Sequence, residues 1–248
     1  MRLTVLGCAG SFPGPESPCS SYLLEADGFR LLLDFGTGSL STLQRYASLT
    51  SIDAVLLSHL HADHILDACS YVVVRRYAPD GPYPPIPLYG PPGVSQRLAN
   101  VYGAEDGPLD DVYAFHDLVP GQLTVGPFSL TVDRVNHPVE TFGVRVEHRG
   151  RVLAYSADTA PCEALNRLAH RADVFLCEAS YLDGEDNPPD LHLTGRDAGE
   201  AATKAEVARL VLTHLVTAWG SEASSLAAAT AAFSGPVEVA RAGMRMEI

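Results

Sequence analysis

The sequence predicts an α/β protein in which two stacked sheets carry helices on their outer faces. Short apolar strands bounded by Gly or Pro recur along the chain, and helices separate several of them. Side chains that can bind metal follow the ends of several of these strands. The 248 residues show no clear repeat and no low-complexity linker, so we predict a single domain that spans residues 1–248.

The first half of the chain contains predicted strands at residues 3–6, 20–25, 29–34, 52–58 and 88–89. Asp27-Gly28 joins the second and third of these strands and predicts a hairpin turn, because both residue types tolerate positive φ. Helices are predicted at residues 39–48, from 65 to about 76, and from the turn at 91–93 to about 102. The proline-rich segment 80–87 is predicted to be a loop.

The second half repeats this alternation, with predicted strands at residues 122–125, 128–135, 141–147, 151–155, 174–177, 207–212 and 237–239. Helices are predicted at residues 162–170, 196–205 and 221–233. Thr194 and Asp197 are typical of a helix start, with a hydroxyl at the N-cap and an acid three positions later.

The composition limits the class of partner and the compartment. The chain has 30 acidic and 17 basic side chains and a formal net charge of −13, which disfavours nucleic acid, although a local basic patch would still allow it. Its five cysteines have no paired spacing, which indicates a reduced, cytoplasmic protein. No stretch approaches the roughly 20 apolar residues of a membrane helix and no signal-peptide pattern is present, so we expect no membrane partner.

A cluster of metal-capable side chains follows the apolar run at residues 54–57. In extended chain, residues two apart share a face, so His59 and His61 can point at one metal ion. Asp63 and His64 then lie at the entry of the predicted helix and can face a second ion. A surface cluster of polar residues after a strand is the alternative, but the density of ligand types favours a metal site.

Four further polar residues lie at strand ends or before a helix. His137, Asp158 and His214 each follow an apolar strand, and His192 precedes the helix predicted at 196–205. Each residue alone would fit a turn or a helix cap equally well. Together with the first cluster they predict a metal site over one edge of the α/β core.

These residues resemble the motifs of the metallo-β-lactamase superfamily. HLHADH at 59–64, then His137, Ser-Ala-Asp-Thr around Asp158, and Leu-Thr-His ending at His214 follow that family's order over nearly the whole chain. The resemblance implies an αββα sandwich of two mixed sheets with a two-metal site. One ion would be bound by His59, His61 and His137, the other by Asp63, His64 and His214, and Asp158 would bridge them.

Two further positions bear on the resemblance. The superfamily usually has Gly where this chain has Ala157, a small change that we do not expect to disturb ligation. Asp34, in Leu-Asp-Phe-Gly-Thr-Gly, matches the position of an acid that supports the ligand loop from behind.

Glu178-Ala-Ser-Tyr and the His192-Leu-Thr segment resemble the ribonuclease Z and small-phosphodiesterase branch of this superfamily. The branch implies that His192 is a general acid near the leaving group, with a helix-capping histidine as the alternative. Asp63 and His192 are therefore the candidate catalytic residues. Glu178 would either orient a histidine or complete a hydrogen-bond network, and the sequence leaves both open.

The resemblance implies two divalent metal ions, with Zn favoured and Mn or Fe as alternatives. The imidazole and carboxylate ligands, without thiolate, admit all three metals. Two such ions activate a water, and the resulting hydroxide attacks phosphorus. Ribonuclease Z proteins carry an RNA-gripping arm between the third histidine and the bridging aspartate, but here only 21 positions separate His137 from Asp158. This short gap and the acidic charge predict a small phosphodiester substrate.

The chain as a whole resembles actinobacterial cyclic-nucleotide phosphodiesterases, so a cyclic nucleotide is the expected substrate type, and the enzymes of this branch imply a homodimer. Three alternatives stay open. They are a transfer-RNA 3′-processing endonuclease, a lactone or thioester hydrolase, and a metal-bearing binding protein without turnover.

Overall fold

The computed structural model describes residues 1–104, 107–220 and 222–248. Its strands are β1 (Arg2–Gly7), β2 (Ser21–Ala26), β3 (Phe29–Leu33), β4 (Ala54–Leu56), β5 (Ile86–Gly90), β6 (Tyr113–Asp117), β7 (Gly121–Val125), β8 (Phe128–Arg134), β9 (Phe142–His148), β10 (Arg151–Tyr155), β11 (Val174–Glu178), β12 (Leu210–Thr213), β13 (Val237–Val239) and β14 (Arg245–Glu247). Its helices are α1 (Ser39–Leu43), α2 (Ala62–Tyr77), α3 (Val94–Tyr102), α4 (Glu163–Ala169), α5 (Gly195–Lys204) and α6 (Glu222–Ala232). Short 3-10 helices lie at Leu49–Ser51 and Thr217–Trp219.

Within the described residues the strands form two mixed sheets of seven strands each. The first has the order β14-β1-β2-β3-β4-β5-β6 and the second the order β13-β12-β11-β10-β9-β8-β7. Strands β3 to β6 are parallel in the first sheet, and β10 to β13 are parallel in the second. The remaining pairs are antiparallel. The predicted αββα sandwich is confirmed.

The core between the sheets contains apolar side chains from both of them. Leu24 and Leu31 of the first sheet and Val144 and Leu176 of the second are completely buried in it. These residues alternate along their strands with others that point to the opposite face, as the pleat of a strand requires. Burial of each such side chain contributes about 1.5–3 kcal/mol, so this shared core holds the two sheets face to face.

The outer faces of the two sheets are covered by different helices. Ile65 and Tyr71 of α2 pack with Leu32 against the first sheet. Ala198 of α5 packs with Phe175 against the second sheet. Because helices cover both outer faces, the carboxyl ends of the parallel strands are the edge at which loops can form a site.

The hairpin and the strand-helix alternation agree with the prediction, and the differences lie at boundaries. Asp27 and Gly28 have φ of +50° and +83°, as the predicted turn requires. Helix α2 begins at Ala62 rather than 65, so Asp63 lies within its first turn, where a negative charge is favourable. Helix α1 is shorter than predicted, and Ser221, the predicted start of the last helix, lies outside the described residues.

Two edge strands, β6 and β14, were not predicted. Strand β6 has the sequence YAFHD with mostly exposed side chains, and β14 has only three residues. Both lie at an edge of the sheet. Strand β6 lacks a clean alternation, but apolar and polar side chains do alternate over residues 244–248, so β14 could have been recognised in the sequence. None of the helices in the described residues is long and apolar enough to cross a membrane.

Helix α5 begins as predicted, and it packs unusually closely against α6. The hydroxyl of Thr194 accepts from the backbone N–H of Asp197 at 3.1 Å, and the carboxylate of Asp197 accepts from the backbone N–H of Thr194 at 2.9 Å. A Cβ atom on Gly199 would lie 2.6 Å from the backbone oxygen of Ala229 in α6. This glycine therefore permits the close approach of the two helices.

We expect Gly199→Val to lower the free energy of unfolding by about 1–3 kcal/mol, because the added side chain collides with the backbone of α6. Urea unfolding followed by circular dichroism measures this change. Glu200→Ala, on the exposed side of the same helix, is the matched control and should change stability by less than about 0.5 kcal/mol. An unchanged unfolding midpoint for Gly199→Val would contradict the close helix contact.

Candidate metal centre

The structure brings all seven predicted ligand residues together at the carboxyl ends of the strands. Four of them lie on the segment that leaves β4 and enters α2, and three follow β8, β10 and β12 of the other sheet. They form two groups of potential ligand atoms, one with three residues and one with four: His59, His61 and His137, and Asp63, His64, Asp158 and His214. Whether these residues bind metal stays a prediction.

In the first group, three imidazole nitrogens converge. Nδ1 of His61 lies 3.1 Å from Nε2 of His59 and 3.2 Å from Nε2 of His137. Nδ1 of His137 donates to the backbone oxygen of Leu191 at 2.9 Å, which leaves its Nε2 as the nitrogen that faces the centre. Because lone pairs at this separation repel unless a positive charge lies between them, the arrangement fits a cation.

In His59, as in His137, one ring nitrogen is engaged by a neighbour: its Nδ1 lies 3.1 Å from Oγ of Ser58. The Ser58 hydroxyl donates its own hydrogen to Oδ2 of Asp34 at 2.9 Å, so it accepts from His59. The Nε2 nitrogen of His59 is therefore left to face His61. A serine that the sequence did not single out thus determines which nitrogen of His59 is presented.

Besides Asp158, the second group contains Asp63, His64 and His214, whose ligand atoms lie around a common point. Nε2 of His214 lies 3.1 Å from Oδ2 of Asp63 and 3.2 Å from Nε2 of His64. The other nitrogen of each ring is already engaged: Nδ1 of His64 with Oδ2 of Asp34 at 2.7 Å, and Nδ1 of His214 with Oγ of Ser180 at 2.8 Å. Both Nε2 atoms therefore face the centre.

Asp158 lies between the two groups. Its Oδ1 is 3.3 Å from Nε2 of His64, and its Oδ2 is 3.3 Å from Nε2 of His214 and 3.7 Å from Nε2 of His59. The residue is only 2% exposed, and Oδ1 has no hydrogen-bond partner among the described residues. Burial of a carboxylate oxygen without a partner is unfavourable, so Oδ1 fits a ligand to an ion in the second group. Because Oδ2 lies near His59, the carboxylate as a whole fits a ligand between the two groups.

The charges in the centre are strongly coupled. Burial, together with the neighbouring His64, lowers the pKa of His59 well below its usual range. Burial alone would raise the pKa of Asp158, but the adjacent His214 and His64 outweigh it and hold the pKa well below normal. For His64, burial is outweighed by Asp158 and Asp34, which raise its pKa well above normal. The raised pKa favours the charged form of His64, so a divalent cation bound by this ring would displace a proton from it.

Asp34 supports the ligand segment, in the position that the resemblance implies. It is completely buried and accepts four hydrogen bonds: from the backbone N–H and hydroxyl of Ser58 at 2.7 and 2.9 Å, from Nδ1 of His64 at 2.7 Å and from the hydroxyl of Tyr155 at 2.7 Å. Tyr155 belongs to β10 of the other sheet. Asp34 therefore orients one ligand directly and links the two sheets at the centre.

His192 lies beside both groups and is held by Glu178. Nδ1 of His192 lies 2.8 Å from Oε1 of Glu178, and its ring centroid is 5.5 Å from those of His137 and His214. Glu178 also accepts the backbone N–H groups of Thr159 at 2.7 Å and of Ser180 at 3.2 Å. Glu178 thus has both roles that the sequence left open.

The alternative role of His192 as a helix cap is not supported, because the N-cap of α5 is Thr194.

Three residues of the site were missed by sequence reasoning: Ser58, Tyr155 and Ser180. Each lies next to a predicted ligand or at the end of a predicted strand, but hydroxyl groups are common at such positions and give no distinct signal. Cys8 contacts Ser17 and the backbone of Ala240 rather than a predicted ligand.

A family model described as a beta-lactamase superfamily domain matches residues 30–215. The chain belongs to this superfamily. An uncharacterized protein of Mycobacterium leprae is 44% identical, over 100% of this chain and 89% of that protein. The ribonuclease Z of Mycolicibacterium gilvum is 32% identical, over 96% of this chain and 93% of that enzyme. The predicted resemblance to this superfamily and to ribonuclease Z is confirmed.

Among solved structures, the metallo-beta-lactamase fold protein YhfI from Bacillus subtilis is similar with a TM-score of 0.88 and 28% sequence identity. The match covers 99% of each chain. The two folds therefore correspond over nearly the whole length of both chains. The chain is a member of a superfamily of metal-dependent hydrolases and is related to ribonuclease Z.

Ala157, the departure from the family's usual glycine, has φ of +53° and is completely buried. An alanine in this left-handed conformation is less stable than glycine by about 1–2 kcal/mol. Burial of its methyl group contributes about 0.8 kcal/mol in the opposite direction. Burial therefore offsets part of the strain at Ala157.

We expect Asp34→Asn to lower metal affinity by about 10–100-fold, because the amide cannot accept all four hydrogen bonds and no longer orients His64. Competition with a chromophoric chelator measures the affinity, and circular dichroism checks the fold. Asp67→Asn is the matched control: Asp67 is also a buried carboxylate, but it accepts from the backbone N–H of Leu40 and contacts no predicted ligand. Equal affinity in wild type and Asp34→Asn would show that the support is dispensable.

Proposed function

We propose that this protein is a phosphodiesterase that uses two metal ions to hydrolyse a small phosphodiester, with a cyclic nucleotide as the expected substrate. The observation that carries the proposal is the pair of ligand groups that share the buried Asp158, with His192 and Glu178 beside them. The absence of thiolate from both groups suits Zn, with Mn or Fe as alternatives.

The residues divide between the two ions as the family order implies. One ion would be held by His59, His61 and His137, the other by Asp63, His64 and His214, with Asp158 shared by both. When bound, such ions supply positive charge to phosphoryl oxygens and lower the pKa of water. Asp63 is held in place by the backbone N–H of Ser11, which donates to its Oδ2 at 3.0 Å.

His192 is suited to give a proton to the leaving oxygen. Burial lowers its pKa, but the charge of Glu178 and the hydrogen bond to it outweigh burial and raise the pKa above the usual value. Because Nδ1 donates to Glu178, the Nε2–H of the charged ring is available for the leaving group. A positioned acid of this kind contributes about 10²–10⁴-fold in rate.

A small substrate is supported by the segment between His137 and Asp158. It consists of β9, β10 and the turn at Arg149-Gly150, without room for a protruding arm. The net charge of −13 also disfavours a long polyanion. A ribonuclease Z-like activity on transfer RNA is the second candidate, and the 32% identity to a ribonuclease Z favours it.

We propose a cytoplasmic location, in agreement with five free cysteines among the described residues. The implied homodimer is also kept as a proposal, and size-exclusion chromatography with light scattering tests it.

The substrate class is tested by incubating the metal-loaded protein with four compounds in parallel: bis(p-nitrophenyl) phosphate, cyclic AMP, a precursor transfer RNA and a lactone. We expect hydrolysis of the first two, and loss of activity after removal of metal with a chelator. Cleavage of the precursor RNA with little activity on cyclic AMP would favour the second candidate. Hydrolysis of the lactone alone, or no turnover with both metals bound, would contradict the proposal.

The role of His192 is tested by His192→Ala. We expect turnover of cyclic AMP to fall by about 10²–10⁴-fold, because its alkoxide leaving group needs a proton. Turnover of bis(p-nitrophenyl) phosphate should fall much less, since nitrophenolate leaves without protonation. Metal content, measured by inductively coupled plasma mass spectrometry, should not change. His148→Ala, which removes an outlying histidine paired with Asp27, is the control. Equal losses on both substrates would assign His192 a structural role instead.

A further inference from the structure

Two large aromatic side chains are exposed beside each other close to the metal centre. Phe12 is 43% exposed and Trp219 is 65% exposed. Their ring centroids are 6.2 Å apart with an interplanar angle of 68°, an edge-to-face contact. Contiguous exposed apolar surface is a feature of ligand-binding sites, and two neighbouring rings provide such a surface. We call Phe12 and Trp219 the aromatic pair.

The aromatic pair lies on the two segments that contact one side of the centre. Ser11, directly before Phe12, donates its backbone N–H to Oδ2 of Asp63 at 3.0 Å. Trp219 lies five positions after His214, at the end of the 3-10 helix Thr217–Trp219. The backbone N–H of Gly10 donates to the oxygen of Leu215 at 3.1 Å and joins the two segments. The pair is therefore at the rim of the centre.

Both backbones are fixed although the rings are exposed. The N–H of Phe12 donates to the oxygen of Gly10 at 2.7 Å, and the N–H of Trp219 donates to the oxygen of Val216 at 3.0 Å. Gly10 is pressed so closely against the other segment that a Cβ atom would lie 2.4 Å from the backbone oxygen of His214. A preformed aromatic surface loses little conformational entropy when it binds a flat ligand.

We propose that the aromatic pair is a stacking site for the nucleobase of the substrate. This inference rests on the proposed phosphodiesterase function and adds to it the two residues that would hold the base. Aromatic side chains stack on any base, because every base has a π-face. The metal ions would hold the phosphate, so the base is the part of a nucleotide that remains for the aromatic pair to contact.

Stacking of this kind stabilises the bound substrate and the transition state equally, because the base is remote from the reacting phosphorus. Removal of a stacking ring should therefore raise KM and leave kcat unchanged. The pair determines specificity between nucleotides and other phosphodiesters and takes no part in the chemical step.

Binding is tested directly by fluorescence, since Trp219 is the only tryptophan of the chain. Adenosine 5′-monophosphate should quench the fluorescence of the metal-loaded protein in a saturable manner, and ribose 5-phosphate, which has no base, should not. In Phe12→Ala the half-saturating concentration should rise by about 5–150-fold, the effect of one lost stacking contact. Equal quenching by both compounds, or none by the nucleotide, would overturn the inference. This readout does not require turnover, so it tests stacking even if the proposed activity fails.

Kinetics give the second test. In Trp219→Ala, KM for cyclic AMP should rise by about 5–150-fold at constant kcat, whereas KM for a cyclic ribose phosphate without a base should not change. Trp219→Phe should retain most of the affinity. Tyr77→Ala is the matched control, because Tyr77 is also 65% exposed but lies at the end of α2. An unchanged KM for cyclic AMP, or an equal rise for both substrates, contradicts base stacking and leaves the phosphodiesterase proposal intact. Dissociation of a dimer in Trp219→Ala at unchanged KM would assign the pair to an interface between two copies.

Discussion

Burial of two carboxylates on either side of one histidine is the constraint on which the rest of the centre depends. Asp34 and Asp158 are nearly inaccessible to water, and His64 lies between them, 2.7 Å from the first and 3.3 Å from the second. A buried charge without partners costs several kcal/mol, so each buried carboxylate needs hydrogen-bond donors from neighbouring segments. For Asp34 these are Ser58 and Tyr155, one from each sheet. The relative position of the two sheets and the orientation of the ligands are thus set by the same hydrogen bonds.

Backbone strain is concentrated in this region. Asp34, Ala157 and His214 have φ of +58°, +53° and +55°, a conformation that residues other than glycine rarely adopt. Each such residue costs of order 1–3 kcal/mol and persists only where the surroundings hold it. Here the surroundings are the buried hydrogen bonds of Asp34 and the Ser180 hydroxyl, which contacts both the ring and the backbone of His214. The strain turns side chains at strand ends toward a common point.

The ligand set could be predicted from sequence because the cluster at residues 59–64 and the three later ligands each follow an apolar strand, and strand ends of parallel sheets meet at one edge. The hairpin at Asp27-Gly28 and the capped start of α5 were predicted for similar reasons, since their signals are local. The supporting hydroxyl of Tyr155 was not predictable, because its partner is 121 positions away and nothing in the chain near it indicates the pairing. The edge strand β6 was missed because most of its side chains are exposed. Strand β14 was missed although residues 244–248 alternate, because so short a segment becomes a strand only through its pairing with β1.

The division of the ligands between the two sheets has a consequence for how the protein matures. His59 to His64 belong to the half of the chain that builds the first sheet, and His137, Asp158 and His214 to the half that builds the second. Contacts between residues as far apart as 64 and 214 require a long loop to close, which has an entropic cost. Neither half alone presents a complete set of donors. Acquisition of metal would therefore follow the docking of the two sheets, and a chain that carries its full complement of ions is one whose halves have already assembled correctly.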